Sequence, residues 1–185
     1  TAPTHAQTGD TYTVFLPIVT AEPLRVLWAD KCDPRTDPHI CYISDSLTIL
    51  DEFYATCLAG LPPVHSVLDL ACGRERHARM FAQLGHPVLA VDRDAEALAC
   101  LEGVASVRTL CADLEGGAPW PLEGRRFSAI VVTNYLHRPL FPRLLESVAP
   151  AGVLIYETFA QGNESFGKPS NPAFLLRPGE LLQAF

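Results

Sequence analysis

From residue 66 onward, apolar and polar positions alternate in blocks that predict strands and helices in turn. Continuous apolar runs predict five strands, Ser66–Leu70, Pro87–Val91, Val107–Cys111, Ala129–Thr133 and Val153–Thr158. Apolar residues at helical spacing predict the helices Ala78–Leu84, Ala95–Leu101, Phe141–Ser147 and Glu180–Phe185. Because these runs are predominantly apolar, both faces of the sheet must be covered. The pattern therefore predicts an α/β fold in which helices cover a mostly parallel sheet.

The pattern is less regular in the first part of the chain. Three short apolar runs predict strands at Tyr12–Val19, Leu24–Trp28 and Ile40–Ile43, separated by turns that contain Asp-Pro pairs. Ser46 is typical of a helix N-terminus, and apolar residues recur at helical spacing from there to Leu61. We therefore interpret residues 1–45 as an N-terminal extension of unclear role that precedes a domain over residues 46–185.

Composition and charge narrow the class of protein. A content of 48% hydrophobic residues and a mean hydropathy of +0.14 are typical of a globular protein with a large core. The formal net charge of −7 disfavours a nucleic-acid partner, because such binding needs a basic surface. No apolar run reaches the roughly 18 residues that would span a membrane, and the first residues lack the basic start of a signal peptide. A cytoplasmic protein is the expectation.

The cysteines do not point to a metal site or to a disulfide framework. None of the six forms a C-x-x-C pair, which favours reduced thiols. Cys32, His39 and Cys41 lie close in sequence but have no fourth ligand at a standard spacing. No metal is predicted.

The most informative segment is Val67–Ala78, which reads V-L-D-L-A-C-G-R-E-R-H-A. It predicts a strand, a tight turn and the start of a helix, where free backbone N–H groups favour an anionic ligand group. The next strand ends at Asp92, and an acid at that place suits the two hydroxyls of a ribose. The pair predicts a cofactor that contains a nucleoside. Glu75 stands where the pattern prefers glycine, and His77 is interpreted as a histidine on the helix surface.

From Val67 to Phe159 the chain resembles class I S-adenosylmethionine-dependent methyltransferases, and most closely the small-molecule type grouped with tellurite-resistance methyltransferases. The resemblance rests on five segments in order: L-D-L-A-C-G, A-V-D-R-D, C-A-D-L, V-V-T-N-Y-L-H and G-V-L-I-Y-E-T-F. It implies a Rossmann-like three-layer sandwich, S-adenosyl-L-methionine as cofactor, and methyl transfer to a small-molecule acceptor.

The resemblance also implies roles for individual residues, by position in these segments. Nine residues would bind the cofactor: Asp69, Ala71 and Gly73 at its methionine end, Asp92 at the ribose, Arg93, Asp113 and Leu114 at the adenine, and Thr133 and Asn134 near the sulfonium. His137 and Tyr135 follow the fourth of the five strands and would handle the acceptor. The alternatives are a structural histidine in the loop for His137 and a pocket wall for Tyr135.

Two departures from the family pattern leave alternatives open. Glu75 would face the cofactor's carboxylate if it pointed inward, which favours an inactive nucleoside-binding protein. The family sheet also has two further strands after the fifth, and this chain has no segment left to form them, which is a second reason to consider an inactive protein. Either the chain is a C-terminally incomplete fragment, or the Val153–Thr158 edge is covered by the N-terminal segment or by a second copy in a homodimer. A nicotinamide dehydrogenase is disfavoured, because only Gly73 matches the G-x-G-x-x-G pattern.

Overall fold

The computed structural model describes residues 13–19, 25–26, 66–74, 76–165 and 167–185. The strands in these residues are β1 (Thr13–Val19), β2 (Arg25–Val26), β3 (Val67–Leu70), β4 (Val88–Asp92), β5 (Val107–Cys111), β6 (Phe127–Thr133) and β7 (Val148–Phe159). They form one sheet in the order β2-β1-β7-β6-β3-β4-β5. The neighbours from β7 to β5 are all parallel, which confirms the predicted α/β fold with its mostly parallel sheet.

Four helices accompany the sheet in the described residues: α1 (Arg76–Gln83), α2 (Ala95–Ala99), α3 (Phe141–Ser147) and α4 (Glu180–Ala184). Successive side chains of a strand point to opposite faces, and β3 shows how this builds the layers. Leu68 and Leu70 belong to a core that includes Leu144 of α3. Val67 belongs to a second core that includes Phe81 of α1. The sheet therefore lies between two helical layers, as predicted.

The final parallel strand begins earlier than its apolar pattern indicates. Val148 pairs with Phe127, and an irregularity in register separates this pair from the regular ladder that follows. Ala151 has a φ of 60°, a left-handed conformation that a β-propensity pattern does not reveal. Since the intervening residues are small or exposed, only the stretch from Val153 onward reads as a buried strand.

The predicted open edge at Val153–Thr158 is covered by the N-terminal segment. β1 pairs antiparallel with β7, from Thr13 opposite Phe159 to Val19 opposite Val153. β2 in turn pairs antiparallel with β1. Coverage by the N-terminal segment was one of the predicted alternatives, and the structure shows it. The edge that was expected to support a homodimer is therefore already hydrogen-bonded, and that reason for predicting a dimer is wrong.

Several sequence predictions lie outside the described residues. They are the strand Ile40–Ile43, the helix from Ser46 to Leu61, the group Cys32, His39 and Cys41, and the orientation of Glu75. Within the part of the chain that is described, no helix is long and apolar enough to cross a membrane.

Candidate active site

A cleft of about 230 Å³ lies at the carboxyl ends of the parallel strands. This is where ligands bind in open α/β sheets. Its lining residues follow four neighbouring strands in the sheet: Ala71 after β3, Asp92 and Arg93 at the end of β4, Ala112, Asp113, Leu114 and Glu115 after β5, and Asn134 and Tyr135 after β6. The sequence places these residues far apart, and the parallel sheet brings them together.

The turn after β3 has a backbone that leaves room for a ligand. Ala71 and Gly73 both have a φ of 54°, in the left-handed region. A Cβ built on Gly73 would meet no atom within 4 Å, so the backbone there borders open space. The turn is tied to β4 because the N–H of Cys72 donates to the carbonyl of Val91 at 3.1 Å. Non-glycine residues with positive φ, such as Ala71, occur most often where function needs an unusual backbone.

The carboxylate of Asp92 joins this turn to the end of β4. The backbone N–H of Gly73 donates to its Oδ2 at 2.8 Å, and the N–H of Asp94 donates to its Oδ1 at 2.9 Å. A carboxylate offers about four acceptor positions, so two remain for a ligand. Asp92 is thus held in a fixed orientation beside the cleft and keeps the capacity to accept two hydroxyl donors. The adjacent Asp94 instead caps α2 and accepts from the N–H groups of Glu96 and Ala97.

The loop after β5 presents a second acid to the cleft. The Oδ1 of Asp113 accepts the N–H of Glu115 at 2.9 Å, an Asx turn that orients the side chain. A Cβ on Gly116 would lie 2.6 Å from Oδ2 of Asp113, so the glycine allows this acid its position. Glu115 also lines the cleft and was not predicted as a site residue. Its only sequence signal is its place in the acidic loop that follows Asp113.

Asn134 and Tyr135 form the wall after β6. Asn134 has a φ of 52°, and its N–H donates to the carbonyl of Glu157 at 2.8 Å. The hydroxyl of Tyr156 donates to the carbonyl of Tyr135 at 2.9 Å, which fixes the wall against the core. Burial raises the pKa of Tyr135, and the carboxylate of Glu115 adds to the rise. The phenol therefore stays protonated at neutral pH and can donate a hydrogen bond, but it is a poor base.

Asp69 lies behind the cleft, on the face that α1 covers. Its side chain is fully buried, and among the described residues neither carboxylate oxygen has a hydrogen bond of good geometry. Burial raises its pKa to about 7; the N–H of Ala78 lowers it in part, and the charge of Asp92 raises it further. Asp69 was predicted to bind the methionine end of a cofactor, and it does not line the cleft directly.

Thr133 is also set back from the cleft, next to a histidine. Its Oγ1 lies 3.4 Å from Nδ1 of His77. His77 is buried and stacks against Phe81, with ring centroids 6.3 Å apart. The interpretation of His77 as a surface histidine is wrong, because α1 begins two residues earlier than predicted and turns this side chain toward the sheet.

The two predicted acceptor-handling residues line different depressions. Tyr135 lines the cleft described above, whereas His137 lines a neighbouring groove of about 270 Å³. The two depressions share Asp113, Leu114 and Glu115. His137 precedes a short 3-10 turn, and its carbonyl accepts the N–H of Leu140 at 3.0 Å.

The structure thus brings most of the predicted cofactor residues together. Those that line the cleft are Ala71, Asp92, Arg93, Asp113, Leu114 and Asn134. Gly73 contacts the cleft's Asp92 through its backbone, while Asp69 and Thr133 lie behind the cleft wall.

Comparisons with known proteins bear on the family and on the fold. Residues 67–151 match a family model described as a methyltransferase domain. In structure, the chain is similar to coclaurine N-methyltransferase bound to N-methylheliamine and SAH, with 18% identity, a TM-score of 0.58, and coverage of 77% of this chain and 50% of that one. At this identity the likeness shows the fold.

Two other solved structures are similar over a smaller part of the chain. A ribosomal protein L11 methylase from Lactobacillus delbrueckii subsp. bulgaricus has 21% identity and a TM-score of 0.47, covering 65% of this chain and 63% of its own. A glycopeptide N-methyltransferase complexed with S-adenosyl-L-methionine has 25% identity and a TM-score of 0.48, covering 64% and 57%. This chain therefore spans between half and two thirds of the length of these proteins.

The search of curated proteins returned no match. The resemblance to class I methyltransferases is confirmed by the family match and by the structural similarity, while the tellurite-resistance type stays a prediction. Residues 67–151 therefore match the methyltransferase domain family, and the chain shares the fold of coclaurine N-methyltransferase.

Proposed function

We propose that this protein binds S-adenosyl-L-methionine in the cleft at the ends of β3 to β6 and transfers its methyl group to a small-molecule acceptor. The observation that carries the proposal is the convergence on one cleft of an oriented acid, Asp92, a turn with open space at Gly73, and a second acid, Asp113. A nucleoside needs this combination of hydroxyl acceptors, an amine acceptor and close backbone approach.

The residues of the cleft suit the parts of the cofactor. Asp92 would accept the two ribose hydroxyls with the acceptor positions that its backbone partners leave open. Asp113 and the backbone of Leu114 would face the adenine, and Arg93 would lie beside it. The turn at Ala71 and Gly73 would approach the amino-acid end, and Asp69 and Thr133 would support it from behind.

When bound, the cofactor supplies a methyl group on a positively charged sulfur, which departs as a neutral thioether. The protein's tasks are then to align the acceptor and exclude water. Asn134, in its constrained conformation, and Tyr135 would form the wall near the sulfur. Because its pKa is raised, Tyr135 would position the acceptor as a hydrogen-bond donor and not as a base.

The proposal of a small-molecule acceptor is supported by one of the similar structures, coclaurine N-methyltransferase, which holds N-methylheliamine. Four expectations from the sequence remain predictions. They are the tellurite-resistance type, the cytoplasmic location, the absence of nucleic-acid and membrane partners, and the domain boundary between residues 45 and 46. Two strands of the sheet come from the N-terminal side of that boundary.

The alternative is an inactive cofactor-binding protein, for which the sequence offered two reasons, the missing strands and Glu75. The first reason no longer applies. The positions of the two missing strands beside the last parallel strand are filled by β1 and β2. Glu75, the other support, lies outside the described residues. We therefore favour catalysis over binding alone.

Calorimetric titration with S-adenosylmethionine, S-adenosylhomocysteine and NAD tests the proposal directly. We expect heat of binding with both sulfur compounds and none with NAD, because the turn lacks the glycines that a dinucleotide requires. Absence of binding by both sulfur compounds would refute the proposed function. Binding that is never followed by methylation of any acceptor would instead support the inactive alternative.

The acid at the end of β4 provides a sharper test. Replacing Asp92 by alanine should weaken S-adenosylhomocysteine binding by about 1–3 kcal/mol, because charge-assisted hydrogen bonds to the ribose are lost. Asp94→Ala is the matched control, since Asp94 accepts only helix N–H groups in the described residues. That change should cost about 1 kcal/mol of stability and leave the affinity unchanged. Equal effects of the two changes on affinity would show that the ribose is held elsewhere.

A further inference from the structure

The groove beside the cofactor cleft has apolar walls that suit a ring. Its apolar lining residues are Leu114, Ala118, Pro119, Trp120, Pro121, Pro139 and Leu140. Leu140 is buried and Trp120 is half-buried against the core, so these two walls are fixed by packing. The tryptophan and the three prolines of this lining are rigid, and such side chains bind apolar rings with little loss of conformational entropy.

The charges at this groove favour a cation. Asp113 and Glu115 lie on the wall that the groove shares with the cofactor cleft. The one arginine in the lining, Arg143, is already paired, with its Nη1 at 3.1 Å from Glu146 Oε2 and 3.4 Å from Glu123 Oε2. Arg93 lines the adjoining cleft and not this groove, and among the described lining residues of the groove no other arginine or lysine accompanies Asp113 and Glu115. Their field attracts a positive ligand and repels an anion.

We infer that this groove binds the methyl acceptor, and that the acceptor is an amine that carries an apolar ring. The inference rests on the proposed function, because it places the amine next to the cleft proposed for the cofactor. The ring would lie against Trp120 and Leu140, and the ammonium group would face Glu115, which lines both the groove and the cofactor cleft, while Asp113 faces the adenine. An acceptor oxyanion such as tellurite would face the carboxylate of Glu115 and is disfavoured.

Methylation of such an amine balances without a further reactant. The ammonium first loses its proton to solvent through the open groove. The nitrogen lone pair then forms the bond to the methyl carbon, and the electron pair of the broken C–S bond goes to sulfur. His137 lies on the groove wall, where it can accept a hydrogen bond from the amine as it loses its proton.

Three probes that share a phenyl ring and differ in charge test this inference: phenethylamine, phenethyl alcohol and hydrocinnamate. Their affinities are measured by calorimetry on the whole chain saturated with S-adenosylhomocysteine. We expect the amine to bind about tenfold more tightly than the alcohol, and the carboxylate to bind most weakly. An alcohol or carboxylate that binds as tightly as the amine would overturn the inference.

Two substitutions locate the binding. Glu115→Gln should reduce the preference for the amine over the alcohol about tenfold, because a charged partner becomes neutral. Trp120→Ala should weaken amine and alcohol alike, and Trp120→Phe should retain most of the affinity while keeping the fold. If neither Glu115→Gln nor Trp120→Ala changes probe binding, the groove is not the site.

The affinity for S-adenosylhomocysteine, measured first, separates the two proposals. If S-adenosylhomocysteine binds and none of the probes does, the acceptor inference fails and the proposed function stands. If S-adenosylhomocysteine fails to bind while the amine still binds in a manner that depends on Trp120, the proposed function fails and the groove stands as an amine site.

Discussion

Replacing Asp69 by asparagine should increase the stability of the protein at neutral pH and have little effect near pH 4. The pKa of Asp69 is raised from 3.8 to about 7, chiefly by burial. Between these values the folded protein holds a proton that the unfolded chain has released. Stability from this group is therefore lost as the pH rises from about 4 to about 7. The gap between the two pKa values corresponds to about 4 kcal/mol of stability.

Urea unfolding of the protein and of Asp69→Asn, at several pH values from 4 to 8, measures this effect. The stability of the variant relative to the parent should rise through that range and level off above about pH 7, because asparagine does not titrate. Asp94→Asn is the control, since that carboxylate is exposed and asparagine caps a helix equally well. A difference between Asp69→Asn and the parent that stays constant with pH would show that Asp69 keeps an ordinary pKa.

Loss of the Glu180 carboxylate should destabilise the protein by about 2 kcal/mol at neutral pH. Glu180 is 7% exposed, and Nη2 of Arg138 donates to its Oε2 at 2.9 Å while Nε donates to Oε1. Arg138 also donates to the carbonyls of Ala173 and Leu175, so the ion pair holds the C-terminal segment beside the loop that follows β6. Breaking a buried pair leaves an uncompensated charge, and the partial exposure of Arg138 reduces that cost.

Because Glu180 is paired with Arg138, we also expect the protein to lose stability in acid. Its bonds to Arg138 lower the pKa of Glu180 from 4.5 to about 2, against the opposing effect of burial. A depressed pKa stabilises the folded state above the unfolded value, so this contribution is lost as the pH falls from about 4.5 to about 2. Urea unfolding of Glu180→Gln at low salt should show a lower stability at pH 7 and a weaker dependence on pH in that range.

An exposed glutamate serves as the matched control for this substitution. The side chain of Glu146 is 64% exposed and pairs with Arg143. Glu146→Gln should therefore change the free energy of unfolding by less than about 0.5 kcal/mol. If Glu180→Gln has as small an effect as Glu146→Gln, the ion pair does not hold the C-terminal segment in place.

The chain's local patterns were sufficient to predict the central strands and the positions of the acids that follow them. Buried parallel strands are short apolar runs, and the turn after β3 is recognised by its small residues. Asp92 stands directly after such a run and Asp113 stands two residues after the strand Val107–Cys111, so their place at one edge of the sheet follows from parallel strands alone. The cleft residue Glu115 was missed because its exposure to the cleft depends on how the Asp113 loop turns.

The burial of charged and polar side chains was less predictable. Asp69 and His77 lie in segments whose sequence fits exposed or ligand-facing positions equally well. Their burial depends on where α1 begins and how it packs on β3. Tyr135 and His137 are two residues apart, yet the backbone between them sends one into the cofactor cleft and the other into the neighbouring groove.

The sequence by itself determined the order of the strands and helices from residue 66 onward and the chemistry at the ends of the strands, because both are local properties of the chain. Only the tertiary structure decided which strand covers the edge of β7. β1 lies more than a hundred residues away in sequence, and pairing at that distance leaves no local pattern. It also decided that Arg138 forms an ion pair with the buried Glu180, 42 residues away, since their approach depends on contacts between distant segments.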